Sequence, residues 1–461
     1  MMTVHMVFNA HIDPVWLWPW QSGLDEALAT CRSACDRLDT HPELIFTRGE
    51  AWVYQQIEQI DPRLFDRIVA HVNAGRWEIV GGWWIQPDCN APSGFAMEKQ
   101  IALGKEYFQK RFGCFPKVGY NVDSFGHAAT LPGFMHAAGQ THYVMMRPQE
   151  HEKPLPARLF RWRGHEGGPE IVTFRIATAY TCREISTQYI RDAMTELPAG
   201  LEHTMCFVGV GDHGGGPTEG QIRWIKEHAE SLDGCRLVFS SPRRFFDAVA
   251  QFTAELPLVT GELQMHAVGC FSVYRPVKTA LRRSEHLVKQ AEIMNAGGNA
   301  QAAVALDEAW KRICFNHFHD TLGGTCLPSA YRQVLAQLGQ AEAIADEVLQ
   351  TCLRQQLADW PDDPWQRIVA CNASEVAFDD WIEVEPWLDG RTWEAGWQLL
   401  DEQGRPVPYQ CMQSEAEAVG LCTRLLLRTH IDARGWRVFR IRYDSANPPP
   451  PAPSAPPPGR P

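Results

Sequence analysis

The sequence predicts an α/β protein whose N-terminal half carries a parallel β-sheet with helices packed outside it. Up to about residue 255, short apolar runs typical of strands alternate with amphipathic runs typical of helices, and this alternation indicates βαβ units. From 256 to 358 the pattern is helical, and from 359 to 445 it changes to short strands separated by turns. About seven strands in the first region fit either a closed barrel or an open doubly wound sheet.

The predicted strands of the first region are short apolar segments. Turn-forming residues separate each strand from the neighbouring helix. Apolar residues spaced three and four positions apart mark the intervening helices, which we predict at Leu24–Leu38, Ala51–Gln59, Pro62–Ala74 and Phe95–Phe112. The seven predicted strands are Val4–Ala10, Leu44–Thr47, Trp77–Val80, Lys117–Val122, His142–Met146, Ile171–Ile176 and Met205–Val210.

The second and third regions have different periodicities. Helical spacing of apolar residues predicts a small helical bundle at 256–358, with helices Val277–Asn295, Ala300–Phe315 and Pro328–Asp359. A proline-rich tail at 446–461 is expected to be extended and disordered. In the β region at 359–445, the predicted strands are Arg367–Asn372, Trp381–Val384, Trp397–Asp401, Leu421–Ile431 and Trp436–Tyr443.

Composition excludes several classes of partner. The 461 residues carry a net charge of −12, which argues against binding to nucleic acid or to an anionic membrane surface. We find no apolar stretch long enough to cross a membrane and no basic-then-apolar leader, so we expect a cytoplasmic protein. Seventeen Trp residues offer flat apolar faces suited to stacking on sugars, although most such residues serve packing.

A histidine and an aspartate follow the first predicted strand. His11 and Asp13 are two positions apart, and side chains at i and i+2 of an extended segment point to one face. The pair could bind one cation at the strand end, or it could be a solvated turn or a simple hydrogen-bonded pair. A metal site would need further ligands from elsewhere in the chain.

Polar residues also follow other predicted strands, and in a parallel sheet these ends share one rim. Asp123 ends the fourth strand, where it could cap the next helix or line a site. Asp212 and His213 precede three glycines; these glycines favour close backbone approach to a ligand over phosphate binding, because no Lys-Ser/Thr follows. Arg147 follows the fifth strand. His127 and His213 fit equally well as site residues or as ordinary loop residues.

The helical region contains an unusual segment with two histidines. His317, His319 and Asp320 precede a pair of glycines. Histidine at a helix C-terminus is favoured by the helix dipole alone. In the alternative interpretation, His319 is a fourth ligand and Asp320 holds its other ring nitrogen or a substrate hydroxyl. Two histidines and two carboxylates would form a ligand set suited to zinc.

Four separated motifs resemble, in this order, the signature blocks of family-38 glycoside hydrolases, the α-mannosidases. The resemblance covers about residues 1–445 and is closest to the bacterial and cytosolic type, because of the glycine-rich loop. The motifs are His11-Ile-Asp13-Pro-Val-Trp16, Asp123-Ser-Phe-Gly-His127, Gly211-Asp212-His-Gly-Gly-Gly-Pro-Thr218 and His317-Phe-His319-Asp320.

The resemblance implies a fold, an activity and residue roles. The fold would be a seven-stranded β/α catalytic barrel at 1–255, a three-helix bundle at 256–358 and the start of a β-sandwich-like region at 359–445. The activity would be hydrolysis of terminal α-D-mannosyl residues with retention, through a covalent glycosyl-enzyme. One zinc ion per chain would be held by His11, Asp13, Asp123 and His319. Asp123 would be the nucleophile and Asp212 the acid/base, and substrate would contact Trp16, Arg147, His213 and Asp320.

Two departures from the family pattern keep other functions open. Phe95 and Lys99 stand where the family commonly has Glu and Arg, and the β region is short compared with the family, so we expect it to be incomplete. A metal-dependent carbohydrate deacetylase is one alternative, although the chain lacks the His-x-x-x-His spacing common in that class. A truncated, non-catalytic mannose-binding relic is another. An α-mannoside is the expected small-molecule partner, and a homo-oligomer is left open.

Overall fold

The structure of the protein, a computed structural model, describes residues 1–232, 234–296, 298–388, 393, 396–416 and 423–444. The chain forms two compact units. The first consists of Met1–His286 and Ala305–Ile344, and the second of Leu287–Val304 and the described residues from Ala345 onward. Every residue predicted to lie at the site belongs to the first unit.

The first sheet of this unit is built around the N-terminal strand β1 (Met2–Asn9), whose residues are almost all buried. One edge of β1 pairs in parallel with β8 (His203–Val208). The other edge pairs in parallel with β9 (Cys235–Phe239) near its start and with β2 (Phe46–Arg48) near its end. Next to β2 lies β3 (Trp77–Ile79), also parallel. The carboxyl end of β1 therefore lies between the ends of β2 and β8.

The second sheet has a mixed topology. Its strands are ordered β10-β6-β7-β5-β4, and all neighbours are parallel except β6 and β7, which are antiparallel. The strands are β4 (Val118–Asn121), β5 (His142–Met145), β6 (Leu159–Arg163), β7 (Glu170–Arg175) and β10 (Leu258–Thr260).

The α/β class is as predicted, but the closed seven-stranded barrel is not confirmed. The seven predicted strands are divided between the two sheets, with β3 and β4 at the ends of different sheets. A closed barrel also needs β7 to pair with β8, yet both edges of β7 are already taken by β5 and β6. The sequence analysis missed β6 because Arg161 and Arg163 interrupt its apolar pattern; both arginines pair with Glu170 on β7.

Side chains cap the N-termini of some of the helices between these strands. Asp61 caps the third helix by accepting a hydrogen bond from the Leu64 N–H at 3.1 Å, and Thr218 and Gln221 form a capping box at the seventh. The helices are α1 (Trp20–Thr40), α2 (Ala51–Ile60), α3 (Pro62–Asn73), α4 (Gly94–Phe112), α5 (Leu131–Ala138), α6 (Thr187–Ala193), α7 (Glu219–His228) and α8 (Pro242–Val249).

The chain then continues through helices into a β region. The helices are α9 (Arg275–Met294), α10 (Ala300–Asn316), the short α11 (His319–Gly323) and α12 (Pro328–Ala358). None of the helices in the described part of the chain is both long and apolar enough to span a bilayer. The later strands are β11 (Gln366–Cys371), β12 (Phe378–Val384), β13 (Trp397–Leu400), β14 (Gln410–Gln413), β15 (Thr423–Ile431) and β16 (Trp436–Tyr443).

The later strands form two antiparallel three-stranded sheets, ordered β11-β16-β13 and β12-β15-β14. Side chains from both sheets, among them Leu399, Leu427 and Phe439, share one buried apolar cluster. The predicted start of a strand at Leu421 and the predicted proline-rich tail at 446–461 lie outside the described residues.

Candidate active site

Four buried side chains from distant parts of the sequence form a cluster in the first unit. Each of His11, Asp13, Asp123 and His319 offers one ligand atom, and these four atoms lie within 4.8 Å of one another. His11 and Asp13 follow β1, Asp123 follows β4, and His319 begins α11. The structure therefore brings together all four residues that the sequence analysis predicted as metal ligands.

The loop after β8 fixes the backbone beneath His11 and Asp13. The Asp212 N–H donates to the carbonyl oxygen of His11 at 2.7 Å, and the Asp13 N–H donates to the carbonyl oxygen of Asp212 at 3.0 Å. This parallel bridge continues the pairing of β1 with β8 past the strand ends. Asp212 has a left-handed backbone with φ of 60°, a conformation uncommon for residues other than glycine.

The orientation of His319 is set by a backbone carbonyl. Its Nδ1–H donates to the carbonyl oxygen of Gln86 at 3.0 Å. Nε2 has no hydrogen-bond partner among the described residues, and it lies 3.8 Å from carboxylate oxygens of Asp13 and Asp123. The unprotonated Nε2 therefore faces the cluster, as a metal ligand must.

Burial and mutual charge shift the pKa values within the cluster. Burial alone would lower the pKa of His11, but its 2.9 Å hydrogen bond to Asp13 and the negative charge there raise the pKa to about 9. Burial raises the pKa of Asp13. Burial opposes ionisation of Asp123 as well, yet the positive charge of Arg147 and its hydrogen bond to the carboxylate lower the pKa of Asp123. His11 thus holds a proton for Asp13 when no metal is bound.

Arg147 binds the carboxylate of Asp123. Its Nε donates to Oδ1 at 2.8 Å, and Nη2 lies 2.5 Å from the same oxygen. The guanidinium also lies over the ring of Phe125, 5.8 Å from its centroid. The predicted neighbour of Asp123 therefore holds one carboxylate oxygen, while the other oxygen, Oδ2, faces His319.

Asp212 is held next to the cluster by a tyrosine. The Tyr180 hydroxyl donates a short hydrogen bond to Asp212 Oδ1, and the Tyr180 ring packs edge-on against His11 with centroids 5.1 Å apart. Asp212 itself is half-buried. Its carboxylate is thus near the ligand cluster while remaining accessible to solvent.

Two tryptophans in the segment after Asp13, Trp16 and Trp18, pack together with His213 from the loop after β8. The Trp18 indole N–H donates to the carbonyl oxygen of Asp13 at 2.8 Å, and half-buried Trp16 packs edge-on against Trp18. His213 is two-thirds exposed and packs edge-on against Trp18, with centroids 4.8 Å apart. The structure therefore places His213 against Trp18 and not among the four clustered ligands.

Asp320 is buried beside His319, but not as expected. Its Oδ2 lies 3.8 Å from His319 Nε2, on the cluster side of the ring, whereas the other ring nitrogen is held by the Gln86 carbonyl. The hydroxyl of Thr325 donates to Asp320 Oδ1 at 2.6 Å. Burial raises the pKa of Asp320 to about 7.

The sequence analysis missed the residues that support the cluster from behind. Gln86 links three parts of the site: its carbonyl holds His319, its Oε1 accepts from the Val122 N–H at 3.2 Å, and its Nε2 donates to Glu50. Tyr180 follows the strand predicted at Ile171–Ile176, for which the sequence analysis proposed no site residue. The rule that located Asp123 and Asp212 would also have located Tyr180.

The chain matches the pattern described as "Glycosyl hydrolases family 38 N-terminal domain" over residues 1–266, more than half its length. The chain belongs to glycosyl hydrolase family 38. Residues 265–355 of this family-38 chain match the alpha mannosidase middle domain. All four clustered ligands lie within these two matches.

Curated relatives and a solved structure agree with the family. The chain is 26% identical to human alpha-mannosidase 2C1 over 385 residues, covering 79% of this chain and 37% of the human protein. It is 24% identical to an alpha-mannosidase of Saccharomyces cerevisiae over 350 residues, covering 71% of this chain and 32% of the yeast protein. The chain thus spans about a third of the length of these relatives.

The fold is similar to that of an alpha-mannosidase from Enterococcus faecalis V583. The two structures superpose with a TM-score of 0.78 at 17% sequence identity, covering 96% of this chain and 56% of the bacterial chain. At this sequence identity, the similarity shows only the fold of this family-38 chain.

The cluster of the family-38 chain fits a divalent metal ion. Two buried ring nitrogens, His11 Nδ1 and His319 Nε2, have no hydrogen-bond partner among the described residues, and such groups in native proteins call for an explanation. Two imidazoles with two carboxylates form a donor set common for zinc and other first-row metals.

Proposed function

We propose that this chain hydrolyses terminal α-D-mannosyl residues from α-mannosides with retention of configuration. The observation that carries the proposal is the buried cluster of His11, Asp13, Asp123 and His319 within the family-38 match. The names of the relatives support mannosides as the substrate class.

Asp123 is the proposed nucleophile. Its pKa is lowered despite burial, because the positive charge and the hydrogen bond of Arg147 favour the carboxylate, so it stays ionised and able to attack at neutral pH. The Arg147 contacts also fix its orientation, and a carboxylate held close to its attack geometry loses less entropy in the reaction. In the first step a bond forms between Asp123 and the anomeric carbon while the glycosidic bond breaks.

Asp212 is the proposed acid/base. In the first step it gives its proton to the departing glycosidic oxygen, and in the second it takes a proton from the water that releases mannose from Asp123. Its half-buried position and the hydrogen bond from Tyr180 support this role, because the carboxyl is both oriented and reachable by water.

The proposed metal is one zinc ion per chain, held by His11, Asp13, Asp123 and His319. When bound, it would supply a positive charge that binds and polarises substrate hydroxyl groups. Four residues are proposed to contact the substrate. Arg147 also orients Asp123, and Trp16 offers its ring face. Asp320 would bind a hydroxyl group, and His213 lies at the exposed edge of Trp18.

The test is turnover of an aryl α-D-mannoside by zinc-loaded protein. Asp123→Asn is expected to lower kcat by a factor on the order of 1,000 or more, as loss of a nucleophile does in other hydrolases. Asp39→Asn is a matched control. Asp39 pairs with an arginine, Arg67, at 2.7 Å, much as Asp123 pairs with Arg147, but Asp39 lies on the surface. NMR of the first product formed should show the α anomer of mannose.

Three results would contradict the proposal. These are wild-type turnover by Asp123→Asn, release of β-mannose as the first product, and folded, zinc-loaded protein that binds mannose without turning over any α-mannoside. The last result would identify the chain as a non-catalytic mannose-binding protein. This alternative is worth testing because the chain spans only about a third of the length of its matched relatives.

A further inference from the structure

A second pocket lies in the first unit, apart from the four clustered ligands. It has a volume of about 210 Å³, which is below the range of roughly 300–1,000 Å³ that holds drug-sized ligands. Its walls come from α1, α2, the segment after β3, α10 and α12. The lining residues are Trp20, Trp52, Gln55, Gln56, Trp84 and, from the later helices, Glu308, Lys311, Arg312, Phe315 and Gln337.

Aromatic side chains form much of this pocket. Trp52 and Phe315 pack with ring centroids 4.6 Å apart, and the Trp52 N–H donates to the carbonyl oxygen of Trp84 at 2.9 Å. These three residues are buried, whereas Trp20 is half-buried. The pocket therefore has a rigid aromatic floor and one accessible indole at its side.

The polar groups in the lining are those that bind neutral hydroxyl groups. The amides of Gln55 and Gln56 make no hydrogen bond with any described residue, and both side chains are half-buried. The indole N–H of buried Trp84 also has no partner among the described residues. A donor left unpaired in this way is unfavourable.

The charges in the lining are already neutralised. Lys311 pairs with Asp307 at 2.9 Å and with Glu308 at 2.7 Å. Arg312 pairs with the Glu308 carboxylate at 3.7 Å and donates to Gln340 at 3.0 Å. A phosphate or carboxylate ligand would have to compete with these partners, so the lining favours an uncharged ligand.

The aromatic residues of the pocket are close in sequence to residues of the candidate active site. Trp20 is four residues from Trp16, Trp52 two from Glu50, and Trp84 two from Gln86. Phe315 is likewise four residues before His319. Four residues of chain span at most about 14 Å, so the pocket and the ligand cluster are built on the same short segments.

From these observations we infer that the pocket binds a second sugar residue of an oligosaccharide whose terminal mannose occupies the candidate active site. Indole faces with amide donors and acceptors suit the apolar faces and hydroxyl groups of a pyranose ring. The identity of the sugar rests on the proposed α-mannosidase function.

The experiment compares binding of an α-linked mannotriose and of methyl α-D-mannoside by calorimetry, in the zinc-loaded Asp212→Asn background, which keeps all four proposed ligands, so that the triose is not consumed. Trp20→Ala is expected to weaken triose binding about tenfold, equivalent to about 1.4 kcal/mol, and to leave methyl mannoside binding unchanged. Trp224→Ala is the control, because half-buried Trp224 stacks on His228 on α7, away from the pocket.

A second variant, Gln55→Ala with Gln56→Ala, should weaken triose binding in the same way if the amides bind hydroxyl groups. The inference is overturned if the triose binds no more tightly than methyl mannoside, or if Trp20→Ala, shown by circular dichroism to be folded, binds it as tightly as the parent protein. Absence of turnover by otherwise wild-type protein, together with Trp20-dependent triose binding, would refute the proposed hydrolysis and leave the second sugar site standing.

Discussion

Gly23, in the first turn of α1, is expected to resist replacement even by alanine. In an exposed helix interior, Gly→Ala stabilises by about 1 kcal/mol because alanine has the higher helix propensity. A Cβ at Gly23, however, would lie 2.6 Å from the carbonyl carbon of Pro14 and closer still to its oxygen. Pro14 directly follows Asp13, so the clash bears on the segment that carries two of the proposed ligands.

The net effect on stability is the cost of the clash minus the gain in helix propensity. Overpacking typically costs about 1–3 kcal/mol, and we take the upper end because the obstacle is backbone, which cannot rotate away. After subtracting about 1 kcal/mol of propensity gain, Gly23→Ala should destabilise the protein by about 2 kcal/mol. Gly339→Ala on α12 is the matched control: a Cβ there meets no atom within 4 Å, so this variant should be up to about 1 kcal/mol more stable than wild type.

Urea unfolding with and without zinc measures both effects. We expect the two variants to differ by about 3 kcal/mol, and Gly23→Ala also to bind zinc more weakly in a competition with a chelator, because α1 and the Asp13 segment must move apart. A Gly23→Ala protein as stable as Gly339→Ala, with unchanged zinc affinity, would refute the reasoning from packing.

Two further predictions concern the candidate site. Zinc affinity should fall by about tenfold per pH unit between roughly pH 8 and 6, because metal binding must displace the proton that His11, with a pKa of about 9, holds for Asp13; zinc-buffered titrations that give a flat profile would contradict this. Tyr180→Phe should lower kcat/KM on an aryl α-mannoside by between about tenfold and a hundredfold, since a hydrogen bond to a charged group contributes about 1.5–3 kcal/mol. Tyr189→Phe, which removes hydrogen bonds to the backbone carbonyls of Ala179 and Phe207, is its control, and equal kcat/KM for the two variants would count against a role for Tyr180 through Asp212.

The convergence of the four proposed ligands could be predicted from the sequence because each lies just beyond the end of a regular element. His11 and Asp13 end the pattern of a strand, and so does Asp123, and parallel strands bring such ends to one rim. His319 was recognisable through its unusual neighbours at the end of a helix. Each of these signals is local in the sequence, and the parallel direction of the strands then brings the strand ends together.

The features that the sequence did not predict depend on pairing between distant segments. Barrel closure depends on which strand takes the free edge of β7, and β6 takes it through arginine pairs with Glu170 that no apolar periodicity reveals. The carbonyl of Gln86 holds His319, but every residue carries a carbonyl, so residue type could not single it out. The left-handed backbone of Asp212 likewise accompanies a bridge to Ile12, a pairing between distant segments.

The wide separation of the ligands in sequence has a consequence for biosynthesis. His11 and Asp13 emerge from the ribosome about 300 residues before His319, and at roughly 5–20 residues per second this interval lasts about 15–60 s. For about the last 200 residues of that interval, three of the four proposed ligands are present without the imidazole that completes the set. A nascent chain could therefore hold a metal ion only weakly until translation passes α11, and metal loading should be among the last events in the folding of the first unit.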